Sequence, residues 1–161
     1  MNHSEWDSHN KQASIFKWAD SLHKQAKEMF LKDKTHAHLV FSFKDTGLVS
    51  INPIPPKTDN AQVHSGIMQA IKQHNLYAVI CIAEAWTYFK KGKKDHTAAQ
   101  ILDGEIKVSE LRDEDKTEVL YLRMESRDGA CVVFLDEIVR DGEDVRLGEW
   151  KTLNDEELKW F

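Results

Sequence analysis

No apolar run in this chain approaches the ~18 residues that cross a bilayer. The opening stretch, Met1-Asn2-His3-Ser4-Glu5-Trp6-Asp7, has neither the basic start nor the apolar core of a signal peptide. Membrane and secreted classes are therefore not expected, and a cytoplasmic protein is. Cysteine is scarce. Cys81 and Cys131 both sit in apolar, strand-like runs, which suits a reducing compartment and excludes a disulfide framework. An excess of positive charge is also missing: 22 Lys and Arg against 27 Asp and Glu give a net charge of -5, which argues against a general nucleic-acid or anionic-membrane surface. The chain has no Gly-x-Gly-x-x-Gly, no Gly-Lys-Ser/Thr phosphate loop, no Gly-x-Ser-x-Gly elbow, no Cys-x-x-Cys and no His-Glu-x-x-His. These signatures do not exhaust enzymes, but without them an enzyme is the weaker expectation, and no cofactor or metal is expected.

What is present reads as a single α+β domain over residues 1–161, with 41% hydrophobic and 30% charged residues, an ordinary globular mixture. Ile15, Ala19, Leu22, Ala26 and Met29 recur at three- and four-residue steps and predict a helix from Asn10 to Leu31, with Asp7 or Ser8 as its cap. From His36 to Lys44 the period changes to two, and Asp45-Thr46-Gly47 turns the chain into a short return strand, Leu48–Asn52, ended by Pro53, Pro55 and Pro56. Asp59 or Asn60 can cap a second helix, through His74, on a stripe of Val63, Ile67, Ala70 and Ile71. Tyr77–Phe89 is apolar on both faces, which marks a central strand covered on both sides or covered by a partner. Lys90–Thr117 has seven basic and seven acidic residues and no sustained period. Val119–Ser126, Cys131–Arg140 and Val145–Trp150 follow as strands, with Asp-Gly at both turns between them, and Asp155 can cap a short last helix. The expected architecture is an antiparallel sheet of five to six strands with two main helices on one face, in the order α-β-β-α-β-β-β-(β)-short α. That order resembles the profilin-like and roadblock folds, a likeness of architecture that implies no activity.

Five side chains are candidates for chemistry. His36 and His38, spaced i, i+2 on a strand, point the same way and could bind a divalent metal if Glu84 or Glu125 joined them; the competing reading is a pair of surface or interface histidines. The His-x-His pattern also occurs in JAMM-type metalloproteases with a later Ser-x-x-Asp, but here Ser42-Phe43-Lys44-Asp45 follows far too closely for that match. Glu84 lies beside Ile82 and Trp86 in the most apolar strand, so it needs a partner, with Arg123 the nearest candidate, or becomes an acid–base group. The plainer reading is a structural ion pair. Both cysteines read as buried and inert. Lys90-Lys91-Gly92-Lys93-Lys94, beside Tyr88 and Phe89, could touch phosphate but reads more simply as a solvated loop, and Asp136–Glu157 is acidic. Five tryptophans, at 6, 18, 86, 150 and 160, are many for this length, and Trp6 and Trp18 lie off the main stripe of the first helix, where they could meet a partner or the C-terminal segment.

The run Ala78-Val79-Ile80-Cys81-Ile82-Ala83-Glu84-Ala85-Trp86, with the later Glu118-Val119-Leu120-Tyr121-Leu122-Arg123-Met124-Glu125-Ser126-Arg127-Asp128-Gly129, resembles small bacterial proteins of uncharacterised function. The resemblance covers about a third of the chain. It implies a bacterial or phage-related cytoplasmic protein and carries over no catalytic residue. The expected function is a non-catalytic module that binds a protein partner or itself through its sheet, without nucleic acid or membrane. The alternative is a ligand-binding protein or metal-dependent enzyme, with His36, His38, Glu84, Arg123 and Glu125 lining the sheet face opposite the helices.

Overall fold

The computed structural model describes residues 6–87, 117–153 and 160–161. The elements are α1 (Lys11–Asp33), β1 (Leu39–Lys44), β2 (Gly47–Pro53), α2 (Asn60–His74), β3 (Ala78–Thr87), β4 (Thr117–Ser126), β5 (Cys131–Asp141) and β6 (Asp144–Leu153). The strands form one antiparallel sheet in the order β2-β1-β3-β4-β5-β6, so the α+β class and the six-stranded sheet stand as expected. The suggested turn at Thr97–Leu102, the extended piece at Ile106–Leu111, the lysine cluster and the helix from Asp155 lie outside the described residues.

Asn10, not Asp7 or Ser8, caps α1: its side chain accepts from Ala13 N–H at 3.3 Å. Asp7 is already engaged one turn earlier, its carboxylate accepting from His9 N–H and its carbonyl from Asn10 N–H. Asp59 caps α2 as its sequence implied, accepting from Ala61 N–H at 2.9 Å. Both helices end on a left-handed residue, Lys34 and Asn75, whose N–H closes on Phe30 and Ile71 carbonyls respectively.

The two helices do not share a face of the sheet. Ile15, Trp18, Ala19, Leu22, Ala26 and Phe30 of α1 pack with Phe41, Phe43, Ala78, Ile80, Ile82, Leu122 and Met124. Ile67 of α2, with partly buried Val63 and Ile71, packs with Val40, Val79 and Cys81. Even and odd positions of β3 thus feed two different layers, and side-chain alternation makes those layers opposite. The reason is legible in β3 itself. One helix layer can bury only one set of alternating side chains, and both sets here are apolar, with Ala78, Ile80 and Ile82 at no more than 2% exposure and Val79 and Cys81 at no more than 4%. β1, expected to be half-buried, is buried on both sides for the same reason, Val40 and Ser42 included.

Trp6 and Trp18, expected against a partner or the C-terminal segment, are used within the body of the fold. Trp18 meets Phe43 edge-on at 5.3 Å, while Trp6 stacks on Phe43 at 5.7 Å and donates its indole N–H to the Asp45 carbonyl. Trp6 also closes over Gly47, whose φ of +117° makes the β1–β2 turn and whose missing side chain leaves room for the indole. Trp160 is 6% exposed and completes the second layer, with Phe161 beside it.

α2 holds Gly66 in mid-helix with ordinary helical backbone and no atom within 4 Å of where a side-chain carbon would stand. Gly66→Ala is therefore expected to stabilise the fold by about 0.5–1 kcal/mol, because alanine loses less backbone freedom in a helix. Urea unfolding measures this; a lower midpoint would mean that α2 is not helical through Gly66.

Candidate functional site

The five candidate residues divide between the two faces of the sheet. β3–β4 register sets Cys81 against Arg123 and Val79 against Glu125, which puts Arg123 and Glu125 on the α2 face. His38 joins that face through its Nε2, 3.1 Å from Cys81 Sγ. Glu84 has the opposite parity and belongs to the α1 face. Its partner is accordingly not Arg123. Thr35 Oγ1 donates to Glu84 Oε2 at 3.1 Å, and Arg140 Nη2 lies 3.8 Å from Oε1 while forking onto Glu118 at 2.6 and 2.9 Å. His36 is 8% exposed, with Nδ1 2.6 Å from the Ala37 carbonyl. Among the described residues no three His, Cys, Asp or Glu side chains gather in a way that could hold a metal.

Arg123 and Glu125 form a buried anchor rather than the wall of a cleft. Arg123 Nη2 donates to Glu125 Oε2 at 2.8 Å, and Glu125 Oε1 accepts from the backbone N–H groups of Trp160 at 2.8 Å and Phe161 at 3.2 Å. The Arg123 guanidinium lies 4.7 Å from the centre of the Trp160 ring. Both side chains are about 5% exposed, so each charge depends on the other for its stability in a poorly solvated layer.

His38 and Cys81 form a neutral pair beside this anchor. Burial holds the His38 imidazole below its ordinary 6.5. Burial also pushes the Cys81 thiol up to about 12, against the opposing pull of the Arg123 charge. Both groups are therefore held in their neutral forms, and Cys81 lacks the thiolate character a nucleophile needs.

A second buried charge contact escaped the sequence reading. His23 Nε2 lies 2.5 Å from Asp136 Oδ2, and the imidazole stacks on Phe134 at 4.2 Å. Lys27 Nζ stands 4.0 Å from the other carboxylate oxygen. The signal was available: Asp136 interrupts the apolar run Val132–Leu135 much as Glu84 interrupts β3. The contact ties α1 to β5.

Among the described residues, large apolar side chains are exposed on α1, at Phe16, Met29 and Leu31, and on one edge of the sheet. β2 is an outer strand of the sheet, with no described strand on its far side. Val49 is 48% exposed and Ile51 51% exposed, and no residue from Gly47 to Pro53 is charged. The other outer strand, β6, carries Asp144, Arg146, Glu149 and Lys151 along its sequence. Charge is the usual means of keeping an edge from pairing, and β2 lacks it.

Such an architecture defines a small α+β protein whose open sheet is buried on both sides of its inner strands and which contains no described helix long and apolar enough to cross a membrane. A family model described as Bacteriophage lambda protein ea47 matches residues 1–161, and the chain belongs to that phage family. No curated protein and no solved structure matches it. Membership gives the chain a lineage and leaves its activity to be argued from its surface.

Two outcomes test the assignment of these polar groups to the interior. Glu125→Ala, which removes the carboxylate partner of the buried Arg123 and leaves it Tyr121, is expected to lower unfolding free energy by about 3–5 kcal/mol, and replacing both residues by leucine should lower it less. Equal urea midpoints for wild type and Glu125→Ala would contradict the buried anchor. The neutral His38–Cys81 pair also sets two limbs of the pH profile. The unfolded chain protonates His38 more readily than the folded one, so stability falls as pH drops below about 6.5. The unfolded chain ionises Cys81 near 9.0 and the folded one only at about 12, so stability falls again across that interval. His38→Gln should flatten the acid limb and Cys81→Ala the alkaline limb; profiles unchanged by either variant would place both groups in water.

Proposed function

We propose that this protein is a non-catalytic protein-interaction module and that its contact surface is the outer edge of β2. The observation that supports this reading is the uncharged run Gly47–Pro53 with Val49 and Ile51 about half exposed, on a strand whose far side has no described partner. A partner in extended conformation can add its backbone to such an edge, gaining main-chain hydrogen bonds together with contacts to alternate side chains. Around β1 and the first half of β3, by contrast, the sheet faces are occupied by α1, α2 and Trp160, so the apolar character of Ala78–Ile82 calls for no outside partner. The polar candidates support the same reading, since His38, Glu84, Arg123 and Glu125 are engaged in contacts that hold elements together. Neither nucleic acid nor membrane has a part in it.

Hydrogen exchange tests the reading. Extended apolar hexapeptides, selected from a library on the immobilised full chain, are expected to slow amide exchange in Ser50–Asn52 and to leave α1 and α2 unchanged. Peptides that protect α1 or α2 instead, or a library that yields no binder, would contradict it.

A further inference from the structure

We infer that the partner of the β2 edge is a second copy of this chain, paired antiparallel about a two-fold axis through Ser50. The inference rests on the edge-contact reading just given and adds the identity and register of the partner.

Three features carry it. The first is the direction of the free backbone groups. Ile54 N–H donates to His38 C=O at 2.8 Å, which makes 38 and 54 a hydrogen-bonded pair of the β1–β2 ladder. Alternation then turns Asn52 and Ser50 toward β1, opposite Val40 and Ser42, and directs the N–H and C=O of Ile51 outward. Pro53, which has no N–H, falls at an outward position, where it costs the β1 ladder nothing. Ile51 therefore presents a donor and an acceptor with no partner among the described residues, beside an exposed, β-branched side chain.

The second feature is self-complementarity. A two-fold axis through Ser50 brings Ser50 opposite its counterpart and sets Val49 of each copy, the residue that the β1 register skips, beside Ile51 of the other. The two most exposed β-branched residues of the strand thus cover one another, a favourable cross-strand pair. The Ser50 and Asn52 side chains already bond to each other, Asn52 Nδ2 donating to Ser50 Oγ at 3.2 Å, so neither is left needing a new partner in the seam.

The third feature is charge. Each copy carries a net charge of -5, so copies repel over most of their surface. The Gly47–Pro53 segment brings no charge to the contact and is the edge at which two copies approach with least opposition. Pairing through β2 also uses up that edge on both copies. The assembly closes as a dimer with a β6 strand at each end, and the irregular register near Ser42 and Phe43, together with Pro53, keeps the seam short.

Light scattering on the full chain across a concentration series, with crosslinking and one edge variant, decides the matter. Wild type is expected to pass from monomer to dimer, Ile51→Lys to raise the dissociation constant about tenfold or more with a thermal midpoint unchanged at dilutions where both chains are monomers, and Ser50→Cys to give an oxidised dimer that the parent chain, with Cys81 and Cys131 alone, does not give. A monomer at every concentration, with peptides still protecting β2, would overturn the second-copy inference and leave the edge reading intact. A dimer that is indifferent to Ile51→Lys, and that Ser50→Cys does not crosslink, would overturn the inference by placing self-association elsewhere.

Discussion

Side chains leaving β3 in opposite directions are both buried, and the rest of the molecule follows from that constraint. Ala78, Ile80 and Ile82 need one apolar layer; Val79 and Cys81 need another. A single helix layer satisfies only the first, so α1 covers one face while α2 and Trp160 close the other. Once both layers are in place, the large apolar side chains of the sheet that are exposed among the described residues, Val49 and Ile51, lie on its outer strand.

This arrangement explains why polar groups in the interior read as sites in the sequence and act as fastenings in the fold. Glu125 accepts from two backbone amides and one guanidinium, which joins β4 to Trp160 and Phe161. His23 and Asp136 join α1 to β5, and Glu84 joins the exit of α1 to β5 through Thr35 and Arg140. Each lies where two elements from distant parts of the chain must hold one relative position. A hydrogen-bonded charge fixes that geometry more narrowly than apolar contact does, although it adds little net stability.

Much of the local structure was legible because it depends on neighbours in sequence: the α1 stripe from Ile15 to Ala26, though not Met29, which is exposed, the cap of α2 at one of the two residues offered, the Asp-Gly turns and the two-sided character of β3. The helix layering was not, because periodicity says that a face is apolar without saying which element covers it. For the same reason Arg123 looked like a partner for Glu84. The two lie on adjacent strands, but register decides whether they share a face, and the observed pairing of Cys81 with Arg123 separates them. The β2 edge was visible only as a short return strand, since exposure at Val49 and Ile51 depends on the strand order, and the order β2-β1-β3 follows from the crossing of α2.

The two-layer arrangement is tested most directly by methyl–methyl nuclear Overhauser effects in the folded protein. The account predicts strong contacts from Ile67 to Val79 and from Leu22 to Ile80, with none between Ile67 and Ile80. Contacts from both Ile67 and Leu22 to the same alternate set of β3 methyls would place the two helices on one face and contradict it.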